Sequence, residues 1–363
     1  MNIYLVGGAV RDVLLGRPVK ERDWVVVGAT PEQLLQQGFK PVGKDFPVFL
    51  HPKTYEEYAL ARTERKINKG YKGFTFYASP NVSLEEDLLR RDLTINAMAK
   101  DTEGQIIDPY GGQKDLQAKC LRHVSDAFAE DPVRILRLAR FSAKLVEFNV
   151  HADTLQLMQK MVTAGEVDVL VPERVWQELV RALTEEAPWR FFEVLKDAKA
   201  LSILFPAIKS SSPSLKRLTT VAALTDSPLL RFAALLSPLK VDQIEDLCQH
   251  YRVPQSYKDL SLLVAREYSH YMKLDIQNAS SILQFLSALD AIRRPSRFKK
   301  CLELYNMFDR QQRSKEINHV LRESLKVVKN VSTKPFLVQE LKGLAFAKAL
   351  KKARIDVIQE ILK

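Results

Sequence analysis

Glu21 and Asp23 stand one residue apart, just ahead of the apolar run Trp24-Val25-Val26-Val27. On a strand, alternate side chains share a face, so both carboxylates would point one way and Arg22 the other. Two clustered carboxylates are hard oxygen ligands suited to Mg²⁺. They can bridge two ions about 3.5–4 Å apart, which clamp the attacking and leaving oxygens of a phosphoryl transfer. Upstream, "GGAVRD" offers bare backbone at Gly7 and Gly8, where a phosphate can approach N–H groups, with Arg11 following on the first turn of a helix. Each piece alone is ordinary: acids around a basic residue are common at exposed strand ends, and Gly-Gly is most often only a turn. Two familiar phosphate motifs are excluded. GxGxxG lacks its third glycine, and "GKD" at 43–45 has Asp where a GK[ST] loop needs a hydroxyl.

Further along, Arg91 and Asp92 stand in "RRDLTINAMA", and Asp131 in "EDPVRILRLARF" is followed by Arg134, Arg137 and Arg140. Those three arginines recur every third residue and form a slowly winding basic stripe on one helix. The alternative is a surface stripe paired with acids. Taken in order, "LVGGAVRDVLLG", "ERDWVVVG", "RRDLTINAMA" and "EDPVRILRLARF" resemble the successive motifs of the class II tRNA nucleotidyltransferases, the CCA-adding enzymes. That family belongs to the DNA polymerase beta-like nucleotidyltransferase superfamily. The resemblance is to the bacterial type and runs from Met1 to about Pro206.

The resemblance implies roles residue by residue. Glu21 and Asp23 would hold two Mg²⁺ ions, with Glu21 one methylene longer than the Asp of many relatives. Gly8 and Arg11 would touch the incoming triphosphate. Arg91 and Asp92 would contact the nucleotide, Asp92 at the ribose 2′-OH. Asp131 and Arg134 would present hydrogen-bonding edges to the base, and Arg137 and Arg140 would meet the phosphates. Simple chemistry agrees on the base: an Asp acceptor beside an Arg fork can mimic a Watson–Crick edge for C or A. Glu57 stands where related enzymes can carry a third acidic residue, with an exposed strand Glu as the alternative. The segment from Arg62 to Gly73 resembles the family's flexible loop, associated with the change from adding C to adding A. The implied activity is addition of C, C and A to the tRNA 3′ end from CTP and ATP, with pyrophosphate leaving. A bacterial poly(A) polymerase, an A-only enzyme and a non-catalytic RNA-binding protein are the alternatives. "VGKDF" at 42–46 has Asp where the poly(A) polymerase would carry a second basic residue.

These residues need a scaffold. "NIYLVG" and "DWVVVG" read as strands ending in glycine, with "FPVFLHP" and "EEYALAR" as further strands. "ATPEQLLQQGF" reads as a helix capped by Thr30, with Pro31 in its first position. "TERKINKGYKG" reads as a loop. Ser83 and Glu86 have capping-box spacing, so "SLEEDLLRRDLTINAMA" reads as one helix. "GQIIDPYGG" reads as a strand running into a turn. Beyond Leu121 the pattern is helical, and "IKSSSPSLKR" at 208–217 reads as a linker. The expected fold class is α+β: a polymerase-beta-like head with a mixed or antiparallel sheet over residues 1–140, then an elongated all-α remainder. That remainder divides into a neck completing the nucleotide site over 141–207, a body over 208–290 and a basic tail over 291–363.

Composition limits the rest. Of 363 residues, 46% are hydrophobic and 27% charged, which suits packed cores. No apolar run approaches the ~18 residues of a membrane span, and the start lacks a secretory pattern. Cys120, Cys248 and Cys301 lie far apart without metal spacing, so a reduced, cytoplasmic protein is expected. Residues 291–363 hold 18 Lys and Arg against 7 Asp and Glu, which accounts for the whole formal charge of +11. Such a quarter is a polyanion clamp or a solvated lysine-rich surface. With the resemblance it becomes the tail that grips the tRNA acceptor stem and elbow; no membrane or obligate protein partner is expected. Longer bacterial relatives carry an HD phosphohydrolase domain, but no His here is followed by Asp. "LLSPLK" stands where a "CHDLGK"-type segment would be, so 208–290 reads as a remnant of that domain. His250 and His270 read as ordinary helical residues.

Overall fold

The computed structural model describes every residue except 43–47, 67–73, 210–211 and 310–311. Its contacts divide the chain into two units, Met1–Pro206 and Ala207–Lys363.

In the first unit, β1 (Asn2–Val6) runs into α1 (Gly8–Leu14), β2 (Asp23–Val27) and α2 (Pro31–Gln36). There follow β3 (Lys40–Val42), β4 (Val48–Leu50), β5 (Glu57–Leu60), β6 (Arg62–Lys66), β7 (Phe74–Ala78) and α3 (Leu84–Leu89). Then come β8 (Ala99–Lys100), β9 (Ile106–Ile107), α4 (Gly112–Gln117), β10 (Cys120–Leu121) and α5 (Val133–Lys144). The unit closes with β11 (Asn149–Val150), α6 (Ala152–Thr163), α7 (Pro172–Ala182), α8 (Trp189–Asp197) and α9 (Leu201–Leu204).

The main sheet has seven strands in the order β3-β4-β5-β2-β1-β8-β9. Only β2 and β5 pair in parallel; the other neighbours are antiparallel, so the head's mixed sheet is as expected. Its two faces separate along β2 by strand alternation. Val25 joins Val6, Ala61, Leu84, Leu88 and Ala97 in one core. Val26 joins Leu34, Phe39, Phe49, Tyr58 and Leu60 in the other. The caps act as read: the Thr30 side chain accepts from Gln33 N, and Ser83 and Glu86 bond reciprocally at the start of α3.

Several expectations are corrected. Glu21 precedes β2 rather than lying on it: Asp23 already pairs with Val6, the last residue of β1, and Glu57, the first of β5, so the ladder ends there. Residues 62–66 form a strand, not a loop, because their backbone groups pair along Phe74–Ala78. The flexible-loop reading otherwise falls on 67–73, and the "VGKDF" reading on 43–46, both outside the described residues. The helix expected from Ser83 onward ends at Leu89. The Arg90 side chain turns back to Asp87 and Arg62 O, the Asp92 carboxylate accepts from Leu93 N, and a separate 3₁₀ turn covers Thr94–Asn96. The second half of the expected linker is helical. Residue 140 lies inside α5, which continues to Lys144.

Among its described residues the second unit is all helical: α10 (Pro213–Ala222), α11 (Pro228–Leu236), α12 (Val241–His250), α13 (Gln255–Met272), α14 (Ala279–Ala288), α15 (Pro295–Phe308), α16 (Gln312–Lys329), α17 (Lys334–Val338) and α18 (Gly343–Ile361). Its core joins Val221 of α10 to Ile358 of α18 around Tyr271, Leu286 and Tyr305. Among the described residues, no helix is long and apolar enough to cross a membrane.

Candidate active site

The carboxylates lie at one end of the sheet. Asp23 of β2 and Glu57 of β5 are paired in register, so their side chains share a face. Glu21, two residues before, remains electrostatically coupled to Asp23 although it is off the strand. Asp23 keeps an exposed edge, yet desolvation pushes its carboxyl up. Arg91 pulls it down and Glu21 adds to the rise, leaving it above the usual carboxylate value.

The glycine turn lies next to these acids, at the end of β1. Gly7 has φ +70° and ψ −131°, a conformation that L side chains avoid. A Cβ there would stand 2.9 Å from Arg91 Nη1, and one on Gly8 would stand 3.4 Å from Arg11 Nη2. Two guanidinium groups therefore flank the paired glycines. Arg91 Nη2 donates to Asp87 at 3.2 Å, while its buried Nε has no hydrogen-bond partner among the described residues. Asp87 is fully buried and also accepts from Arg90 Nη2 at 2.7 Å. Burial opposes its charge, but Arg91 and Arg90 outweigh that and hold the carboxyl below the usual range.

Behind the turn runs a polar chain. Arg11 Nη1 donates to Asn96 Oδ1 at 2.6 Å, and Asn96 Nδ2 donates to Asp92 Oδ1 at 3.0 Å. Asp92 Oδ2 accepts from Arg137 Nη2 at 2.7 Å and Nε at 2.8 Å. Burial would push the Asp92 carboxyl up; Arg137 and Asn96 reverse this and hold it well below the ordinary range. Phe141, on the same helix as Arg137, is ringed by cations: Arg140 at 4.6 Å, Arg11 at 5.2 Å and Arg137 at 5.9 Å from its centroid. Arg140 Nε donates to Glu178 at 2.7 Å, and Lys144 Nζ donates to Asp12 at 3.0 Å. Of the three arginines Arg137 is the most open, its side chain 37% exposed against 13% for Arg140 and 4% for Arg11.

Asp131 and Arg134, the residues expected to read the base, flank the start of α5. Arg174 Nη1 and Nη2 donate to the two Asp131 oxygens at 3.2 and 2.8 Å, a fork-to-carboxylate pair. Arg134, buried, donates to Ala127 O and to Arg90 O, both at 2.7 Å. The contacts therefore link Gly8, Arg11, Asp92, Arg137 and Arg140, and bring Arg91 beside Gly7 and Asp23. Arg134 joins them through the Arg90 carbonyl, and Asp131, held by Arg174, acts on Arg137 through its charge. Sequence reading missed Asp87, Asn96, Phe141, Arg174 and Glu178. Asn96 stood inside a quoted motif, and Arg174 and Glu178 stand four apart on α7, a spacing that places them on one face.

Residues 3–122 match the model of the poly A polymerase head domain, and 147–212 that of a probable RNA and SrmB-binding site of polymerase A. The chain is 58% identical over 362 residues to the CCA-adding enzyme of Coxiella burnetii (strain RSA 331 / Henzerling II), covering 100% of this chain and 96% of that one. The chain belongs to the CCA-adding enzyme family. It is also 48% identical to the multifunctional CCA protein of Nitrosococcus oceani, covering 99% and 98%. Its fold matches that of a Thermotoga maritima CCA-adding enzyme complexed with tRNA_CCA, at a TM-score of 0.72 and 20% identity, over 99% of this chain and 87% of that one. It also matches CCA-adding enzyme complexes with CTP and with ATP, at TM-scores of 0.73 and 0.71 and 21% identity. These cover 99% and 98% of this chain, and 87% and 86% of those.

Proposed function

We propose that this chain adds C, C and A to the tRNA 3′ end from CTP and ATP, releasing pyrophosphate, with protein side chains choosing the base. The observation that carries the reading is the packing of Arg11, Arg137 and Arg140 around Phe141, tied through Asn96 and Asp92 to a glycine turn beside Asp23. Clustered guanidiniums beside a glycine turn suit a triphosphate. Arg91, whose Nη1 lies against Gly7, supplies a further cation for an anion. CTP, ATP and tRNA complexes of enzymes with this fold support the substrates.

Asp23 and Glu21 also fit divalent cations. They are hard oxygen donors; desolvation, with a smaller push from Glu21, raises Asp23, and a bound cation would oppose that rise. Mg²⁺ keeps water and substrate phosphates among its ligands, so one or two protein carboxylates suffice for it. Glu21 and Asp23 would hold it, with Glu57 in register as a further acid. Bound there, the metal supplies charge neutralisation on the reacting phosphate and activation of the attacking hydroxyl.

The chain's own groups do the rest. Arg11, Arg137 and Arg140 hold the β- and γ-phosphates against Gly8, so the α-phosphate faces the carboxylates. The terminal 3′-hydroxyl attacks the α-phosphate in line, and the bond to the pyrophosphate oxygen breaks. Asp92 meets the ribose, while Asp131 and Arg134 read the base edge. Three thiols, all free, agree with a reducing cytoplasm.

The test is tRNA transcripts ending before CCA, after C and after CC, each offered one labelled nucleotide. C, C and then A should be added in that order. Long tails from ATP alone would instead make this a poly(A) polymerase, and labelling only after CC an A-only enzyme. Asp23→Ala should lower incorporation at least about a thousandfold, the scale of losing a principal transition-state contact, while tRNA affinity stays within about twofold. Retained incorporation in that variant would remove the assigned site.

A further inference from the structure

We propose that Glu185 holds the place of a phosphate oxygen at Arg140 until nucleotide arrives, and so weakens ground-state binding of both nucleotide and pyrophosphate. The inference rests on the reading that Arg140 meets the nucleotide's phosphates. Glu185 lies in the turn after α7, fixed by hydrogen bonds from Glu185 N to Ala182 O and from Ala187 N to Ala143 O of α5. That anchor places its Oε1 3.8 Å from Arg140 Nη1. Cations face it from three segments: Arg140 and Lys144 of α5, Arg11 of α1, and Lys20 of the stretch before β2.

Four of the site's other pairs are tighter. Arg140 Nε meets Glu178 at 2.7 Å, Arg11 meets Asp12 at 2.8 Å, Arg137 meets Asp92 at 2.7 Å and Lys144 meets Asp12 at 3.0 Å. Those acids hold the cations in place. Glu185 stands farther from the outer nitrogen of Arg140, at 3.8 Å, with its side chain 21% exposed. Desolvation outweighs the surrounding positive charge and leaves its carboxyl raised, so the spot compensates a single negative charge poorly. A triphosphate carries more charge and more acceptor oxygens, so it displaces Glu185 from Arg140. A group that competes with substrate and product alike raises KM and speeds pyrophosphate release.

The experiment compares Glu185→Gln, Glu185→Asp and Arg140→Ala. It measures KM for CTP and for ATP, inhibition by pyrophosphate, and thermal unfolding. Glu185→Gln should fold like the parent. It should lower both KM values and the pyrophosphate inhibition constant together, by roughly three- to fivefold, the upper end for one partly screened charge pair. Glu185→Asp, which keeps the charge, should stay within about twofold of the parent. Arg140→Ala should raise both KM values; Arg140→Gln replaces it if the alanine variant unfolds. An unchanged KM on losing Arg140 overturns the phosphate reading, and the inference with it. A raised KM there, with unchanged or raised constants in Glu185→Gln, overturns the role of Glu185 alone.

Discussion

On the proposed function, Asp131 serves two states with one side chain. Its two oxygens accept the Arg174 fork, and Oδ1 also accepts from Val133 N at the start of α5. The same acceptors are those a cytosine or adenine amino group needs. Arg134 likewise donates to two carbonyls that lock it beside α3's end. The resemblance singled out Asp131 and Arg134, and their side-chain types suit a base edge. It could not disclose Arg174, which is 43 residues away from Asp131 and joins it only through the packing of α7 on α5. Asp131→Asn keeps the shape and turns one acceptor into a donor. Preference for C and A over G and U should fall by about ten- to a hundredfold, as expected when a buried polar match worth ~1–3 kcal/mol is lost. Single-turnover incorporation of each nucleotide measures this, with tRNA affinity by filter binding as the control. Undiminished preference would mean that Asp131 reads no base.

At the level of elements, β1, β2, β4, β5 and the caps of α2 and α3 were legible because their signals are local. Alternation set the two faces of β2, and Ser83 with Glu86 set the start of α3. The end of α3 was not, because it is decided by Asp87, which draws Arg90 and Arg91 back onto the helix and takes Arg62 N as well. Nor was the start of β2, which depends on where β1 ends and β5 begins. The turn from β1 into α1 is the most exacting junction. Gly7→Ala forces a side chain into a positive-φ conformation and a Cβ against the Arg91 guanidinium. It should cost about 1–3 kcal/mol of stability and about a hundredfold or more in incorporation, a scale seen when a small misplacement disturbs reacting groups. Gly8→Ala is the comparison: Gly8 is helical and its Cβ would meet only the tip of Arg11 at 3.4 Å. Thermal unfolding and initial rates for both variants check this. Equal losses of stability at the two glycines would mean that Arg91's place at Gly7 is irrelevant.

For the whole molecule, the two halves differ in what the sequence could say. The first unit's motifs carried its chemistry. In the second, periodicity disclosed helices but not their packing, since Val221 and Ile358 share a core across most of that unit. His270 pairs with Glu267, and the His250 ring meets the edge of Tyr251. Charge is the second unit's plainest signal. The whole formal excess of +11 lies beyond residue 290, and Lys348, Lys351 and Lys352 of α18 are exposed. Lysines in that setting neutralise phosphates and release counterions, so tRNA affinity should fall steeply as salt rises. Six or more phosphate contacts would give about a thousandfold loss between 50 and 200 mM salt. Replacing Lys348, Lys351 and Lys352 together by alanine should flatten the logarithmic salt slope by up to about three. Incorporation at saturating tRNA should persist, because none of the three belongs to the first unit's site. Titration of labelled tRNA at several salt concentrations reads the slope. A slope that is shallow in the parent, or identical in the triple variant, would assign the basic surface to solvation instead of RNA.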